Sequence, residues 1–143
     1  MIFKKPDFWN KSKPNIVSFL LMPLTFPLHI NNFFLDKFKK TKSKKIYSIC
    51  IGNIYLGGTG KTPTTIKLFQ ILEKIYKKVT TAKKFYYSQS DEISLLKKKT
   101  NFLTSTNRLQ IIKKAVEKGF KIIIFDDGLQ DKSINYDLKI VCF

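Results

Sequence analysis

Gly57-Gly58-Thr59-Gly60-Lys61-Thr62 packs three glycines, a lysine and a hydroxyl into one short stretch. Glycines let a backbone turn tightly and aim its N–H groups at an anion. Lys61 is then placed to reach the terminal phosphates of a nucleotide, and the Thr62 hydroxyl to ligate Mg²⁺. The full phosphate-loop pattern is G-x-x-x-x-G-K-[ST], and Tyr55 stands where its first glycine belongs. A second group, Asp126-Asp127-Gly128, closes the apolar run Ile122–Phe125. An acidic pair at the carboxyl end of a buried strand is where a phosphate-loop protein keeps its magnesium carboxylate. Two neighbours can divide the work, one organising the cation and the other orienting or deprotonating a nucleophile. Asp-Asp-Gly is also good turn chemistry by itself. Asp91-Glu92 is a weaker acidic pair that reads as a helix start. His29, the one histidine, lies in an apolar segment where packing or a headgroup-level role suits it better than catalysis.

These groups need a strand before the glycine turn and a helix after it, and the pattern supplies both. Ile46–Ile51 is short, apolar and rich in β-branched residues, which predicts a buried strand. Thr62–Lys77 has Ile66, Phe69, Leu72 and Ile75 on one helical face, with Pro63 where a missing N–H costs nothing. Further on, Val79–Ala82 predicts a strand, 83–90 a loop, Asp91–Lys99 a short helix and Phe102-Leu103 a short strand. Thr106–Lys118 predicts a helix stopped by Gly119; Lys121–Phe125 and Leu138–Phe143 predict strands. Alternating strands and helices imply a parallel sheet with helices on its faces. The expected class is therefore α/β, a P-loop NTPase-type parallel sheet flanked by helices.

The chain has 143 residues, 43% of them apolar, enough for one domain with a core. Its formal charge is +17, yet Arg108 is the one arginine among 27 basic residues. Nucleic-acid readers lean on arginine forks, so a diffuse lysine excess speaks against a nucleic-acid partner. It suits a solvated surface or attraction to an anionic membrane. Cys50 and Cys142 sit in apolar runs with no CxxC or metal spacing, and read as buried, reduced thiols. Ile16–Leu28 is the most apolar stretch, short of the roughly 20 residues of a spanning helix and broken by Pro23 and Pro27. With lysine clusters on both sides, it is expected to lie in a membrane interface. The expected division is residues 1–40 as that segment and its linker, and 41–143 as a phosphate-loop nucleotide-binding domain.

The stretch Ile51-Gly52-Asn53-Ile54-Tyr55-Leu56-Gly57-Gly58-Thr59-Gly60-Lys61-Thr62-Pro63 closely resembles the signature of the tetraacyldisaccharide 4'-kinase family. In that family the first glycine is also missing, so Tyr55 matches the pattern. Asp126-Asp127-Gly128-Leu129-Gln130 resembles a family element that continues with histidine, where this chain has Asp131. Ser90-Asp91-Glu92 is similar to the family's Gly-Asp-Glu, Arg108 to its helix-leading arginine, and Pro6–Phe34 to its membrane-associating segment. A Ser-Arg-Gly-Tyr-Gly segment of the family is replaced here by Thr81–Tyr87. The resemblance implies ATP- and Mg²⁺-dependent transfer of phosphate to the 4'-hydroxyl of an acylated disaccharide lipid, peripherally, at the cytoplasmic face of the bacterial inner membrane. It implies Gly57–Thr62 on the nucleotide, Lys61 neutralising phosphate, and Thr62 with Asp126 on Mg²⁺. Asp127 and Asp91 are its candidates for activating the hydroxyl. Family members are about twice as long, so a further C-terminal half is expected. The alternatives are a nucleotide-binding fragment that needs that half for turnover, and another P-loop small-molecule kinase.

Overall fold

The computed structural model describes residues 16–37, 45–53, 60–131 and 133–142. The chain divides into two compact units, Met1–Lys39 and Lys40–Phe143. Among the described residues of the first unit, helix α1 (Ile16–Lys37) holds Pro23 and Pro27 in its interior. The sequence predicts breaks at both prolines, and the helix instead runs through them. Each proline removes one N–H, but residues 22–27 are all exposed, so water can take the freed carbonyls. Thr25 also returns a hydroxyl hydrogen bond to the Met22 carbonyl at 2.6 Å. Phe19, Leu20, Met22, Leu24 and Phe26 are exposed along this helix. No helix among the described residues is long and apolar enough to cross a membrane. Phe8, Trp9 and most of the flanking lysines lie outside the described residues.

The second unit alternates strand and helix: β1 (Tyr47–Asn53), α2 (Lys61–Tyr76), β2 (Val79–Lys84), α3 (Ser90–Lys99), β3 (Phe102–Ser105), α4 (Arg108–Glu117), β4 (Ile122–Asp126) and β5 (Leu138–Cys142). The five strands form one sheet in the order β3-β2-β4-β1-β5, and every pair is parallel. β1 and β4 are central and buried along nearly their whole length, as apolar runs without polar alternation require.

Strand alternation splits the core in two. Ile49, Ile51, Val79, Ile122 and Ile124 meet Phe69, Leu68 and Leu72 of α2. Cys50, Ala82, Leu103, Ile123 and Phe125 meet Ile111, Ile112 and Ala115 of α4. The chain thus covers one face with α2 and the other with α4. β5 is tied to β1 by Asp137, whose carboxylate accepts from the Ser48 N–H and hydroxyl, both at 2.8 Å. Cys50 is fully buried, whereas Cys142 at the end of β5 is half-buried; both are free thiols.

In the second unit a further local expectation is overturned. Lys83 and Lys84 were expected in a loop, yet β2 extends through both, and a 3₁₀ turn at Tyr87–Gln89 makes the connection. A lysine inside a buried strand breaks the apolar pattern that marks strands in sequence. It is tolerated here because carboxylates from two other elements neutralise it.

Candidate active site

The carboxyl ends of β1, β2 and β4 converge where parallel sheets place their ligand sites. Gly60 opens α2 in the left-handed region, at φ 73°, and the helix start has no side-chain cap. Its first N–H groups therefore point out uncapped, an arrangement suited to an anion. Gly57, Gly58 and Thr59 lie outside the described residues. Lys61 leaves the first turn of α2 and donates to Asn53 Oδ1 at 3.0 Å. Its ammonium also stands 3.6 Å from Asp127 Oδ2.

Asp126 and Asp127 are neighbours in sequence with opposite surroundings. Asp126, the last residue of β4, is completely buried. Its Oδ2 accepts from Thr62 Oγ at 2.9 Å and from Lys83 Nζ at 2.8 Å, and its Oδ1 from Thr65 Oγ at 3.3 Å. Asp127 has turned into the left-handed region at φ 66°, a conformation that aspartate tolerates better than most residues. Its side chain is 40% exposed, and it forms one wall of a cavity of about 460 Å³. Lys84, Tyr86, Gln89, Arg108 and Gln130 line the same cavity. Gln89 Oε1 and Arg108 Nε are buried there without a hydrogen-bond partner among the described residues.

The loop after β4 is held tightly. The Asp127 N–H donates to the Ile51 carbonyl at 2.9 Å, continuing the β1–β4 pairing past the strand. A Cβ on Gly52 would sit 2.5 Å from Leu129 Cγ, so glycine is what lets β1 and this loop approach so closely. Arg108, at the start of α4 and 8% exposed, donates to the Asp127 carbonyl at 2.5 Å and to Asp131 Oδ2 at 2.7 Å. The other Asp131 oxygen accepts from the Ser133 N–H and hydroxyl at 2.9 and 2.6 Å.

Burial opposes ionisation of Asp131, but the Ser133 hydrogen bonds and the Arg108 guanidinium hold its carboxyl below the usual aspartate range. A depressed carboxyl stabilises the fold above the unfolded-state pKa of about 3.9, and that stabilisation is lost as pH falls through the folded value. Asp131→Asn is therefore expected to cost about 1–2 kcal/mol at neutral pH. It should also flatten the loss of stability below about pH 4. Urea midpoints measured from pH 7 to pH 3 check both effects; parallel pH profiles for the two proteins would refute the assignment.

Sequence reasoning placed Lys61, Thr62, Asp126 and Asp127 in one site, and the fold brings those four together. Asp91 stands exposed on the first turn of α3, with Ser90 Oγ donating to it at 3.5 Å. Its neighbour Glu92 is the one that joins the cluster, as a partner of the Lys83 ammonium. Lys83 carries no usable signal, since it reads as a loop lysine, and Glu92 enters only as part of a helix-start pair and of the Ser90-Asp91-Glu92 resemblance. The Cys50 thiol is pushed up to about 12 by burial, against the pull of Arg108, which makes it a packing group and no nucleophile. Thr62 Oγ and the Asp126 carboxylate are hard oxygen donors at hydrogen-bond distance. They suit Mg²⁺, which takes one or two protein oxygens and completes its shell with water and phosphate.

The sequence profile of the family described as Tetraacyldisaccharide-1-P 4'-kinase matches residues 17–143. A tetraacyldisaccharide 4'-kinase of Pelagibacter ubique (strain HTCC1062) is 46% identical over 143 residues, covering 100% of this chain and 45% of that protein. One of Aliarcobacter butzleri (strain RM4018) is 37% identical, covering 91% of this chain and 46% of that protein. The chain thus spans about half the length of these relatives. The crystal structure of LpxK from Aquifex aeolicus in complex with ATP superposes with a TM-score of 0.69 at 23% identity, over 88% of this chain and 49% of that one. That likeness concerns the fold: a parallel sheet flanked by helices.

Proposed function

The chain belongs to the tetraacyldisaccharide-1-P 4'-kinase family, and from that premise we propose that it carries out the nucleotide side of a lipid A precursor kinase. The reaction is transfer of the γ-phosphate of ATP to the 4'-hydroxyl of a tetraacyldisaccharide 1-phosphate. The observation that carries this reading is the meeting of Lys61, Thr62, Asp126 and Asp127 at the carboxyl ends of β1 and β4.

The roles of Gly57–Thr59 follow from the motif, and those of the other residues from their surroundings. Gly57–Gly60 and the uncapped start of α2 cradle the phosphates. Lys61, held ready by Asn53 and Asp127, neutralises terminal phosphate charge. Thr62 and Asp126 hold Mg²⁺, which supplies further charge neutralisation on the transferring group. Asp127 has an exposed carboxylate on the cavity wall, from which it can accept the proton of an incoming hydroxyl. Asp91, one residue from the buried cluster, is the second candidate for that proton. Positioning and charge do most of the catalysis. Residues 1–40, with the exposed apolar side chains of α1 and lysines on both flanks, rest on an anionic membrane. The chain then works peripherally, at the cytoplasmic face of the inner membrane, where its acylated substrate lies.

The test is transfer of labelled γ-phosphate to a tetraacylated disaccharide 1-phosphate in detergent micelles. It is run with this chain alone and with the C-terminal half of the Pelagibacter ubique relative added. Turnover in either case supports the kinase reading. Nucleotide binding without turnover in both would favour a nucleotide-binding fragment, and absence of Mg·ATP binding would overturn the reading.

A further inference from the structure

Lys83 is 2% exposed, and no apolar strand position needs an ammonium. Its Nζ donates to Asp126 Oδ2 at 2.8 Å and also to Glu92 Oε2. Burial would push the Lys83 ammonium down, but Asp126 and Glu92 together hold it above the usual lysine range. Two carboxylates and one ammonium leave this cluster with one formal negative charge. The three groups come from β4, β2 and α3, so only the tertiary fold assembles them.

The arrangement poses a problem for cation loading at Asp126. The same oxygen, Oδ2, already accepts from Thr62 and Lys83. A divalent cation arriving there meets a lysine ammonium at contact distance, and that ammonium is too buried to swing into water. Leaving it unpaired in the interior would cost several kcal/mol. The second carboxylate it touches is Glu92, whose side chain is 45% exposed and therefore has room to follow it.

We propose that Glu92 is a positioning residue for cation loading: it takes over the Lys83 ammonium when a divalent cation takes Asp126. Glu92 thereby keeps the cluster negative enough to attract the cation. The inference rests on the reading of Asp126 as a metal carboxylate, and the experiment separates the two.

ATP affinity is measured on the whole chain in EDTA and across a Mg²⁺ titration, for wild type, Glu92→Gln, Glu92→Asp, Lys83→Met and Glu117→Gln. The Glu117→Gln variant changes net charge by the same amount on α4, away from the cluster. Glu92→Gln should weaken Mg²⁺ uptake by the ATP complex by about tenfold, the size expected for one lost charge near a dication in a partly solvated site. The EDTA value should stay unchanged, Glu92→Asp should restore most of the loss, and Glu117→Gln should behave as wild type. Lys83→Met should shift Mg²⁺ uptake the opposite way, by about tenfold towards tighter binding, because it removes the competing ammonium. Misfolding cannot mimic that opposite sign. A Mg²⁺ titration of Glu92→Gln that overlays wild type would overturn the inference. So would equal losses with and without Mg²⁺, or weaker Mg²⁺ uptake in Lys83→Met. If wild type binds no Mg·ATP, the functional reading itself fails and this inference falls with it.

Discussion

Asp126→Ala is expected to destabilise the second unit by about 3 kcal/mol, the low end of the cost of breaking a buried ion pair, because the ammonium loses one of its two carboxylates. The affected group is Lys83, which keeps only the half-exposed Glu92, beside a cavity once filled by carboxylate. Thr62 loses its acceptor at the same time, while Thr65 retains the Lys61 carbonyl at 3.0 Å. A loss below about 1 kcal/mol in urea unfolding would mean that water reaches Lys83 and that the cluster is not a dry one. The double variant Asp126→Ala with Lys83→Met separates charge from packing. Replacing both partners by apolar groups removes the unpaired charge, so most of the lost stability should return. If the two changes simply add, the ammonium is not the origin of the penalty.

Lys61→Ala should give the reverse pattern, an intact fold and a failed site. The Lys61–Asp127 pair is 3.6 Å long with side chains 19% and 40% exposed, which places it among weak, solvent-screened pairs. Its removal should change unfolding free energy by less than about 1 kcal/mol. The loss of a charge-assisted contact to phosphate should lower ATP affinity by roughly 10²-fold, or about 2–3 kcal/mol. Wherever turnover is measurable, a further drop of about 10²–10³ is expected from lost charge stabilisation. Calorimetric titration beside thermal melts reads both quantities on one protein. Near-normal ATP affinity with a normal melt would remove Lys61 from the phosphate site, and with it the functional reading of the glycine turn.

Much of this site is legible in local sequence because its parts obey short-range rules. A strand, a glycine turn, a lysine and a hydroxyl must follow one another for backbone N–H groups to face a phosphate, and that order is visible in Ile46–Thr62. The acidic pair is visible because it terminates the apolar run Ile122–Phe125. In the second unit, strand and helix ends lie within about two residues of their predicted places, and what hydropathy misses is the burial of polar residues. Lys83 is the clearest case, since hydropathy assigns a lysine to solvent unless its partners are known. Arg108 is another. It leads a helix as its sequence position suggests, but its grip on the Asp127 carbonyl and Asp131 spans a loop.

By itself, the sequence determined the alternation of strand and helix, the glycine-rich segment between the first strand and its helix, the family, and the pairing of Asp126 with Asp127 at one strand end. Periodicity and motif spacing act over a handful of residues, so no knowledge of distant neighbours was needed. Only the tertiary structure decided that Asp126 is buried and Asp127 exposed, that Glu92 and not Asp91 joins the charged cluster, and that Lys83 lies inside it. Those outcomes depend on which residues from β2, β4, α3 and α4 meet at one end of the sheet. The cost of a buried charge is set by partners that lie far apart along the chain.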